Sequence, residues 1–378
     1  MRRQIPLTLA CLLFGLSLLA IGLWPFNFRT DNHADLLPDA GGLKFAAPAE
    51  RSKRDLGGMA FTPNPLACRA QSSCEAGALT LEMVLKATTE ESPCLKRIVD
   101  VRNADGTEAF YICQWKSSFL VCLFNTPPNL DRPYCRIGVG SLLQTSRTSF
   151  VSITSGERGT DIYVDGQLLE QYPGFRLLKE NEALDGHRLY FGNAPDLTCP
   201  WSGDIYAFAL YDRVMSPSDV AAGWERWQGG RTLLCAGEGA VACYRLDRRH
   251  REEVADLSGS DNTLYVTNYL VFDKQVLRTP RSKDFFHQDT IINLLGFVPF
   301  GFMVCLRLLM RGKPSPRSCL FLAIAVGFAV SLAIELTQVW LPGRDSSLLD
   351  LTTNTMGSAI GGAMAYHLGR AYGTWLKR

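Results

Sequence analysis

Three pairs of an acid and an amide recur at helical spacing near the C-terminal end of the chain: Asp289 with Asn293, Glu335 with Gln338, and Asp350 with Asn354. Residues three or four apart share one face of a helix, so each pair would point in one direction. Arg344 adds a cation between the second and third pairs. Because charged groups are costly near a membrane and the flanking segments are apolar, these residues predict a polar pocket. Such a pocket could bind the head group of a ligand or transfer a proton.

A structural interpretation of the same residues stays open. Polar side chains hydrogen-bond between transmembrane helices for about 1 kcal/mol or less each, and Gly357 and Gly361 would continue the last polar face as a close-packing surface. Three acids and an arginine at one level exceed what such contacts require, which is the argument for a pocket. Pro299, between Gly296 and Gly301, predicts a bend that could open it.

The helix dipole stabilises a negative charge at a helix N-terminus and destabilises one at a C-terminus, so its effect differs among the three acids. The acids of the first and third pairs precede helices, where a negative charge is favourable. Glu335 lies near a helix C-terminus, where it is not, so it should need Arg344 or an amide as its partner. The amides considered for that role are Asn293 and Asn354.

Four apolar segments predict membrane spans, at about residues 5–24, 291–309, 319–341 and, more weakly, 351–368. The first could instead be a cleaved signal peptide. Because it ends in Trp24, Pro25 and Phe26 rather than in small residues, a retained anchor is the favoured prediction.

Basic residues set the predicted orientation. They cluster before the first span, between the second and third, and after the fourth: Arg2, Arg3, Arg307, Arg311, Lys313, Arg317, Arg370, Lys377 and Arg378. Four spans place all of them on the cytoplasmic side. We therefore expect a multi-pass protein of the cytoplasmic (inner) membrane, with residues 29–283 outside and the polar pairs near the outer surface. The net charge of +2 gives no argument for nucleic acid, so membrane lipids are the expected partners.

Nine of the twelve cysteines fall within residues 29–283: Cys68, Cys74, Cys94, Cys113, Cys122, Cys135, Cys199, Cys235 and Cys243. This density favours an oxidising compartment. An odd number leaves at least one cysteine free or paired between chains. A hairpin with its turn at residues 116–119 would place Cys113 and Cys122 opposite each other, which predicts a disulfide between them.

Short segments with alternating apolar residues recur between residues 79 and 212 and predict strands at 79–86, 108–115, 118–124, 149–154, 160–169, 188–192 and 203–212. Regularly spaced short strands favour a sandwich or a barrel. Asp105-Gly106 and Asp165-Gly166 are both typical of type I′ hairpin turns. Ser216, Pro217 and Asp219 then predict a helix start with a capping box.

The stretches "IYVDGQLL" (162–169) and "LYFGNAPDLTCPWSGDIYAFALYDRVMSPSDV" (189–220) resemble the concanavalin A-like, or laminin-G-like, jelly-roll domains. The resemblance implies two antiparallel sheets in an all-β sandwich. It departs in one respect, since the strand that usually begins such domains resembles residues 242–266, after the helix. Either the order is permuted or this stretch is the remnant of a second copy.

This fold binds glycans and calcium in many families, but a fold alone does not assign a function. Four aspartates could supply calcium ligands: Asp161, Asp165, Asp196 and Asp204. We favour their interpretation as turn and strand-end carboxylates, and we expect no cofactor. Trp201 could be a sugar platform, although a half-buried sandwich residue is the favoured alternative. A glycan remains a possible partner.

The last 90 or so residues resemble the VanZ-like family, named for a protein of glycopeptide (teicoplanin) resistance. "DTIINLLGFVPFGF" (289–302), "IELTQVWLPGRDSSLLDLTTNTMGSAIGG" (334–362) and "LWPFNF" (23–28) match its patterns in the correct order. A sandwich inserted after the first span is compatible with that family. The resemblance implies a link to glycopeptide tolerance without supplying a mechanism.

The predicted organisation has five parts: an N-terminal span (1–28), a linker or first strand (29–57), the jelly roll (58–230), additional strands and a linker (231–283), and a membrane domain with three spans (284–378). The predicted function is a non-enzymatic envelope protein that binds a cell-wall or lipid-linked ligand. One alternative is an enzyme that acts on an anionic head group, with Glu335 or Asp350 as general base and Arg344 holding the substrate. Another is an adhesin whose membrane part is only an anchor.

Overall fold

The computed structural model describes residues 4–37, 41–47, 56–68, 74–90, 94–124, 134–230, 235, 239–247, 249–280, 288–311 and 315–375. The chain divides into two compact units. One, here called the sandwich, comprises residues 30–272. The other, here called the membrane module, comprises residues 1–29 and 273–378. The sandwich is thus inserted into the sequence of the membrane module.

The sandwich consists of short strands and one helix: β1 (Ala34–Leu37), β2 (Gly42–Phe45), β3 (Ala60–Phe61), β4 (Leu79–Ala87), β5 (Lys96–Arg102), β6 (Glu108–Trp115), β7 (Ser118–Phe124), β8 (Tyr134–Val139), β9 (Ser149–Gly156), β10 (Gly159–Val164), β11 (Gln167–Pro173), β12 (Arg188–Phe191), β13 (Gly203–Tyr211), α2 (Pro217–Gln228), β14 (Ala240–Arg245), β15 (Glu253–Val254) and β16 (Leu264–Tyr265). Every strand predicted from the sequence is present. The predicted strand at 160–169 is two strands, because the turn at Asp165-Gly166 divides it.

The strands form two antiparallel sheets. One has the order β1-β2-β13-β4-β9-β10-β11, with β14 also paired to β13, and the other has the order β15-β16-β3-β12-β5-β6-β7-β8. Alternate residues point inward, as the pleat requires. Phe110 and Ile112 of β6 lie in the main core, whereas Tyr111 and Cys113 between and after them lie in a separate cluster. The all-β sandwich predicted from the sequence is confirmed.

The two predicted type I′ turns have different outcomes. At Asp165 and Gly166 both φ angles are positive, at 51° and 79°, and Val164 pairs with Gln167. This turn is confirmed. At Asp105-Gly106 the prediction is wrong, because Gly106 alone has a positive φ. There Asp105 instead accepts a hydrogen bond from the backbone N–H of Thr107 at 2.9 Å, which closes a different turn.

Helix α2 begins as the sequence predicts. Ser216 accepts a hydrogen bond from the backbone N–H of Asp219, and the Asp219 side chain accepts one from the N–H of Ser216. Pro217 occupies the first turn. This capping box satisfies donors that would otherwise lack partners at the helix start.

The stretch at 242–266 belongs to the same sandwich. Strand β14 pairs with β13, and β15 and β16 extend the other sheet beside β3. Tyr244 of β14 is 1% exposed and stacks on Phe208. Because these strands complete the two sheets of one sandwich, a permuted strand order is favoured over the remnant of a second jelly-roll copy.

The sandwich includes residues on both sides of the segment 58–230. Within 29–57, where a linker or a first strand was predicted, Ala34–Leu37 and Gly42–Phe45 form β1 and β2. The two ends of the unit pair with each other, since the N–H of Asn32 donates to Asn268 and that of Leu270 donates to Thr30. The sandwich ends at Phe272, within the segment 231–283 predicted to hold additional strands and a linker, and the membrane module resumes at Asp273.

The prediction that Cys113 and Cys122 lie directly opposite each other is wrong, because the register of β6 and β7 differs from the predicted one. Cys113 lies opposite Leu120, and Cys122 lies opposite Tyr111, so the two cysteines are diagonal neighbours. They are free thiols whose Sγ atoms are 3.8 Å apart. The disulfides within the described residues are Cys68–Cys74 and Cys235–Cys243.

The membrane module consists of four helices: α1 (Gln4–Leu23), α3 (Gln288–Leu309), α4 (Pro316–Gln338) and α5 (Leu348–Trp375). Three of them contain stretches long and apolar enough to cross a membrane: Pro6–Leu23, Thr290–Leu309 and Pro316–Gln338. Helix α5, rich in glycine and alanine, does not meet that criterion. The apolarity of α5 alone therefore does not support the predicted fourth span.

Glycines bring α5 against the backbone of α3. A Cβ atom at Gly357 would overlap the carbonyl oxygen of Leu294, and one at Gly361 would overlap that of Val298. In the other direction, a Cβ at Gly301 of α3 would overlap Ser358. Small residues at matching positions let two helices approach this closely.

Candidate functional site

Helix α4 carries a stripe of buried polar side chains towards its C-terminal end. Ser331, Glu335 and Gln338 are 0%, 1% and 7% exposed. Their spacing of four and three residues puts them on one helix face. Each bonds to a different part of the membrane module, so the stripe connects α4 to the α4–α5 loop, to α5 and to α1.

Glu335 is held by the backbone rather than by a side chain. Its Oε2 accepts a hydrogen bond of 2.7 Å from the N–H of Ser347, just before α5. Of the partners expected for Glu335, neither Asn293 nor Asn354 hydrogen-bonds to it, and Arg344 acts on it through its charge. A backbone N–H at this position results from the turn of the α4–α5 loop, and no side-chain pattern in the sequence reports it.

The two amides near Glu335 bond elsewhere. Asn354 donates its Nδ2 to the Ser331 hydroxyl at 2.9 Å, joining α5 to α4. Gln338 donates its Nε2 to the carbonyl of Gly22 at 2.8 Å, joining α4 to the end of α1. These contacts fix the level of the stripe at the end of the module where α1 and α4 end and α5 begins.

Arg344 lies in the α4–α5 loop and is half-buried. Its Nη2 donates to the carbonyl of Ile21 at 2.9 Å, so the guanidinium also contacts the end of α1. The charges of Arg344 and Asp350 both act on Glu335. Asp350 lies in the first turn of α5, where its N–H donates to the Ser347 hydroxyl at 3.3 Å.

The remaining predicted pair starts α3. Asn293 is half-buried in the first turns of that helix. The side chain of Asp289 lies outside the described part of the chain. The structure thus brings together Glu335, Gln338, Arg344, Asp350 and Asn354, which we call the polar cluster.

Lys274 contacts the loop of the polar cluster, although the sequence did not single it out. Its side chain is 5% exposed, and its Nζ donates to the carbonyls of Leu341, Pro342 and Arg344. It also forms an ion pair with Asp345 at 3.5 Å. One lysine upstream of the apolar helices gives no periodic signal, so sequence reasoning could not find it.

Backbone pairing extends this contact. The N–H of Arg278 donates to Ser346, and the N–H of Leu348 donates to Arg278. The N–H of Leu277 donates to the Ser346 hydroxyl at 3.0 Å. Residues 274–278 therefore form a strap that holds the α4–α5 loop, and with it the N–H that binds Glu335.

Three buried atoms of the polar cluster have no hydrogen-bond partner within the described part of the chain: Gln338 Oε1, Arg344 Nε and Asn354 Oδ1. One is a donor and two are acceptors. Buried polar atoms are nearly always bonded in folded proteins, so such atoms indicate a bound water or ligand. The cluster accordingly has one buried donor and two buried acceptors that the described residues leave without a hydrogen bond.

The residues considered for sugar binding in the sandwich do not form a comparable site. Trp201 is 0% exposed, and its Nε1 donates to Gln114 at 2.7 Å. It is fully buried, neither half-buried nor available as a sugar platform. The indole packs against Phe45 instead, with ring centroids 6.2 Å apart.

Three of the four aspartates considered for calcium each bond to a different side chain. Asp161 accepts from Gln171 at 3.2 Å, Asp165 pairs with Arg147, and Asp196 accepts from Thr198 at 2.6 Å. Burial raises the pKa of Asp204. Among the described residues, the acidic, histidine and cysteine side chains that converge as a group of three are Cys68, Cys74 and Asp212, and the two cysteines form a disulfide.

Comparison with known families identifies both units. Residues 247–369 match the model of the VanZ/LLP1 family. Residues 70–221 match the model of the concanavalin A-like lectin/glucanases superfamily. The first match begins inside the sandwich and ends in α5. No curated protein matches the chain.

Solved structures similar to the sandwich have low sequence identity. A SAP-like pentraxin from Limulus polyphemus is 11% identical, with 61% of this chain and 97% of that chain covered and a TM-score of 0.40. The receptor binding domain of botulinum neurotoxin C/D mosaic serotype is 15% identical, with 52% and 46% covered and a TM-score of 0.38. A Trypanosoma rangeli sialidase in complex with sialic acid is 17% identical, with 54% and 30% covered and a TM-score of 0.38. The chain thus spans less than half of the last two.

The helices and the sheets together define a membrane protein that carries an inserted β-sandwich. Its C-terminal part is similar to the VanZ/LLP1 family, and its inserted all-β sandwich is similar to the concanavalin A-like lectin/glucanases superfamily.

Proposed function

We propose that the polar cluster binds the polar head group of a cell-wall or lipid-linked ligand at the outer face of the cytoplasmic membrane. The observation that carries this proposal is the set of three buried atoms without partners in the described part of the chain. A complementary ligand offers an acceptor to Arg344 and hydroxyl or amide donors to Gln338 and Asn354. Sugar and peptide head groups have both kinds of group.

The orientation of the site depends on a fourth span, for which helix packing argues. Gly357 of α5 lies against Leu294 of α3, and Gly369 lies against Leu309. Helix α5 therefore runs parallel to α3 along most of its length. A helix of 28 residues is about 42 Å long at 1.5 Å per residue, enough to cross with α3 despite its lower apolarity.

With four spans, the basic loops lie in the cytoplasm and residues 29–283 lie outside, in a multi-pass inner-membrane protein. The polar cluster then opens to the outer side. Fusions of a reporter after Leu43 and Gly343 should report an outside location. Fusions after Lys313 and Arg378 should report an inside location, and an inside signal at Leu43 would reject the topology.

The sandwich would act as a recognition module, with a glycan or another wall component as its partner. The β-sandwich type supports this role only in general terms. A glycan-array experiment with the full-length protein, solubilised in detergent, tests it directly. Retention of a wall glycan is the expected outcome.

The central experiment measures binding of the purified full-length protein to a panel of envelope lipids, in nanodiscs. We expect wild type to bind a lipid-linked wall precursor and Glu335→Gln to bind it at least 10-fold more weakly. Thr337→Ala is the matched control, because the exposed Thr337 hydroxyl bonds within α4, to Ala333 at 2.7 Å. Equal binding by all three proteins would contradict the proposal.

The alternatives give different results in the same experiment. Turnover of the lipid would favour an enzyme, although Glu335 is 1% exposed and already bonded to Ser347, which suits an ordering role better than that of a general base. Glycan binding without lipid binding would favour the adhesin. The link to glycopeptide tolerance predicts that teicoplanin susceptibility rises when Glu335→Gln replaces wild type in the cell.

A further inference from the structure

Glu335 is a buried carboxylate that forms no ion pair with any residue the structure describes. It is 1% exposed, and it accepts its hydrogen bond from a neutral donor, the N–H of Ser347. The nearby cation Arg344 donates to the carbonyl of Ile21 and likewise forms no ion pair with a described acid. The negative charge of Asp350 also acts on Glu335. Because a carboxylate buried without a close cation is costly, this position favours a positively charged group.

Two amide oxygens add acceptors around this carboxylate. Gln338 shares the helix face of Glu335 one turn further along α4. Asn354 is held one turn in the other direction, by its bond to Ser331. Both amides spend an N–H on the protein, Gln338 on the carbonyl of Gly22 and Asn354 on the Ser331 hydroxyl. Their oxygens are buried and have no hydrogen bond with a described residue, so each amide keeps an acceptor in reserve.

Three acceptors, one of them charged, match a primary ammonium group. An –NH₃⁺ group has three N–H donors and no acceptor. A hydroxyl or an amide would supply donors but would leave the charge of Glu335 unmatched. A calcium or magnesium ion would supply the charge, but it requires about six oxygen ligands or more. The buried Nε of Arg344 remains as a donor, and it suits an anionic group on the same ligand.

We propose that Glu335, Gln338 and Asn354 form a subsite for a primary ammonium group, within a zwitterionic head group whose anionic part bonds to Arg344. This inference rests on the proposed function, because it assigns a chemical class to the ligand of the polar cluster. The subsite selects for both charge and N–H donors. A quaternary ammonium keeps the charge but has no N–H, and an N-acetylated amine keeps an N–H but has no charge, so both should bind weakly.

The experiment compares three short-chain phospholipids that share a phosphate and differ in the head-group nitrogen. They are dihexanoyl phosphatidylethanolamine, its N-acetyl derivative and dihexanoyl phosphatidylcholine. Each is titrated calorimetrically into the full-length protein in a neutral maltoside detergent. We expect the ethanolamine lipid to bind at least about 10-fold more tightly than either of the others, as a buried charge pair with hydrogen bonds should provide.

Three variants locate the preference. Glu335→Gln keeps an acceptor but loses the charge, and it should bind the three lipids within about 3-fold of one another. Gln338→Met removes one acceptor without changing the charge, so it should weaken the ethanolamine lipid and leave phosphatidylcholine unaffected. Thr337→Ala is the matched control and should keep the full preference. Equal affinities of the three lipids for wild type, or an undiminished preference in Glu335→Gln, would overturn the proposal.

Two further measurements separate this subsite from its neighbours. Glycerophosphoethanolamine, which has the head group without acyl chains, should show the same preference over glycerophosphocholine, and its absence would mean that the chains and not the ammonium are selected. A lipid-linked wall precursor that does not bind at all would reject the proposed function even where the preference for a primary amine holds. A precursor that binds equally well after N-acetylation of its amines would reject the ammonium subsite alone.

Discussion

The sandwich and the membrane module each contain a buried cluster of charged side chains, and the two clusters differ in whether each charge has a partner of opposite sign. In the sandwich, Asp100 is 0% exposed and meets two guanidiniums, from Arg102 at 2.5 Å and Arg97 at 3.6 Å. Glu108 meets Arg97 at 2.8 Å and Arg102 at 3.1 Å. Two acids and two arginines thus form a network in which the charges are paired, although Arg97 Nε and Nη1 have no hydrogen-bond partner among the described residues. Each buried charge has a partner of the opposite sign.

The polar cluster of the membrane module is not matched in this way. Glu335 accepts from a backbone N–H, Arg344 donates to a backbone carbonyl, and three buried atoms have no partner within the described residues. A matched network stabilises one arrangement of the chain, since removing either partner exposes an uncompensated charge. An unmatched cluster retains hydrogen-bonding capacity for something else. The difference separates a structural group from a candidate binding site.

The largest effect should come from breaking the paired network. Asp100→Ala leaves two buried guanidiniums with one acid and should cost about 3–5 kcal/mol of folding free energy. Thermal unfolding of the full-length protein, followed by the β-sheet signal, measures it. Asp161→Ala is the control, since it removes a single contact with Gln171 at an exposed position. If both variants unfold alike, the network is not what stabilises this face.

Next comes the pH dependence of the sandwich, set by Glu82 on β4. Burial beneath α2 raises the pKa of Glu82 to about 8, although Arg226 and Arg213 oppose the shift. Because the folded state keeps its proton longer than the unfolded state, this contribution to stability is complete below about pH 4.5. It is lost as the pH rises towards 8.

Glu82→Gln should remove that dependence and raise the Tm at pH 8–9, by an amount corresponding to a few kcal/mol at about 1.4 kcal/mol per pKa unit. Melting curves from pH 5 to 9 test this. Glu225→Gln, on the exposed side of α2, should retain the wild-type slope. A slope unchanged in Glu82→Gln would assign the dependence to another group.

The elements could be predicted where a periodic pattern repeats. Strands β4, β6, β7, β9 and β13 follow from alternation, and the start of α2 follows from Ser216 and Asp219. Strand β5 was not predicted, because the charged residues Arg97, Asp100 and Arg102 interrupt the alternation of apolar and polar residues. Only the structure shows that these charges are buried in ion pairs. The register of β6 and β7 was also missed, since a two-residue turn shifts each partner.

The polar cluster could be predicted in its members but not in its bonds. Spacing along α4 and α5 indicates which side chains share a face. It cannot show that Ser347 supplies a backbone donor to Glu335, nor that Lys274 holds the loop in place. Those contacts join segments separated in the sequence, and they depend on the path of the loop.

A smaller effect should follow from loosening the strap. Lys274→Met removes an ammonium that donates to three carbonyls and should cost about 1.5–3 kcal/mol, the usual range for bonds to a charged group. Loss of thermal stability of the detergent-solubilised protein measures it. Asp345→Asn, at a half-exposed carboxylate, should cost under about 1 kcal/mol. Equal losses would mean that the ion pair, not the carbonyl contacts, holds the loop.

The smallest effect is the energetic coupling between Arg344 and Glu335, which tests whether the residues of the polar cluster interact. Arg344→Ala removes the cation near Glu335 and Asp350 and leaves two carboxylates together. Glu335→Gln removes one of those charges and keeps an oxygen that can accept from Ser347, so it should partly rescue Arg344→Ala. Glu335→Leu loses that acceptor and should rescue less. A double-mutant cycle on thermal stability should give a coupling of about 0.5–1.5 kcal/mol for the Arg344→Ala and Glu335→Gln pair.

Asp345→Asn with Arg344→Ala is the control cycle. Additivity within about 0.5 kcal/mol for Glu335 would show that its charge and that of Arg344 are independent, and the pocket would lose its electrostatic basis.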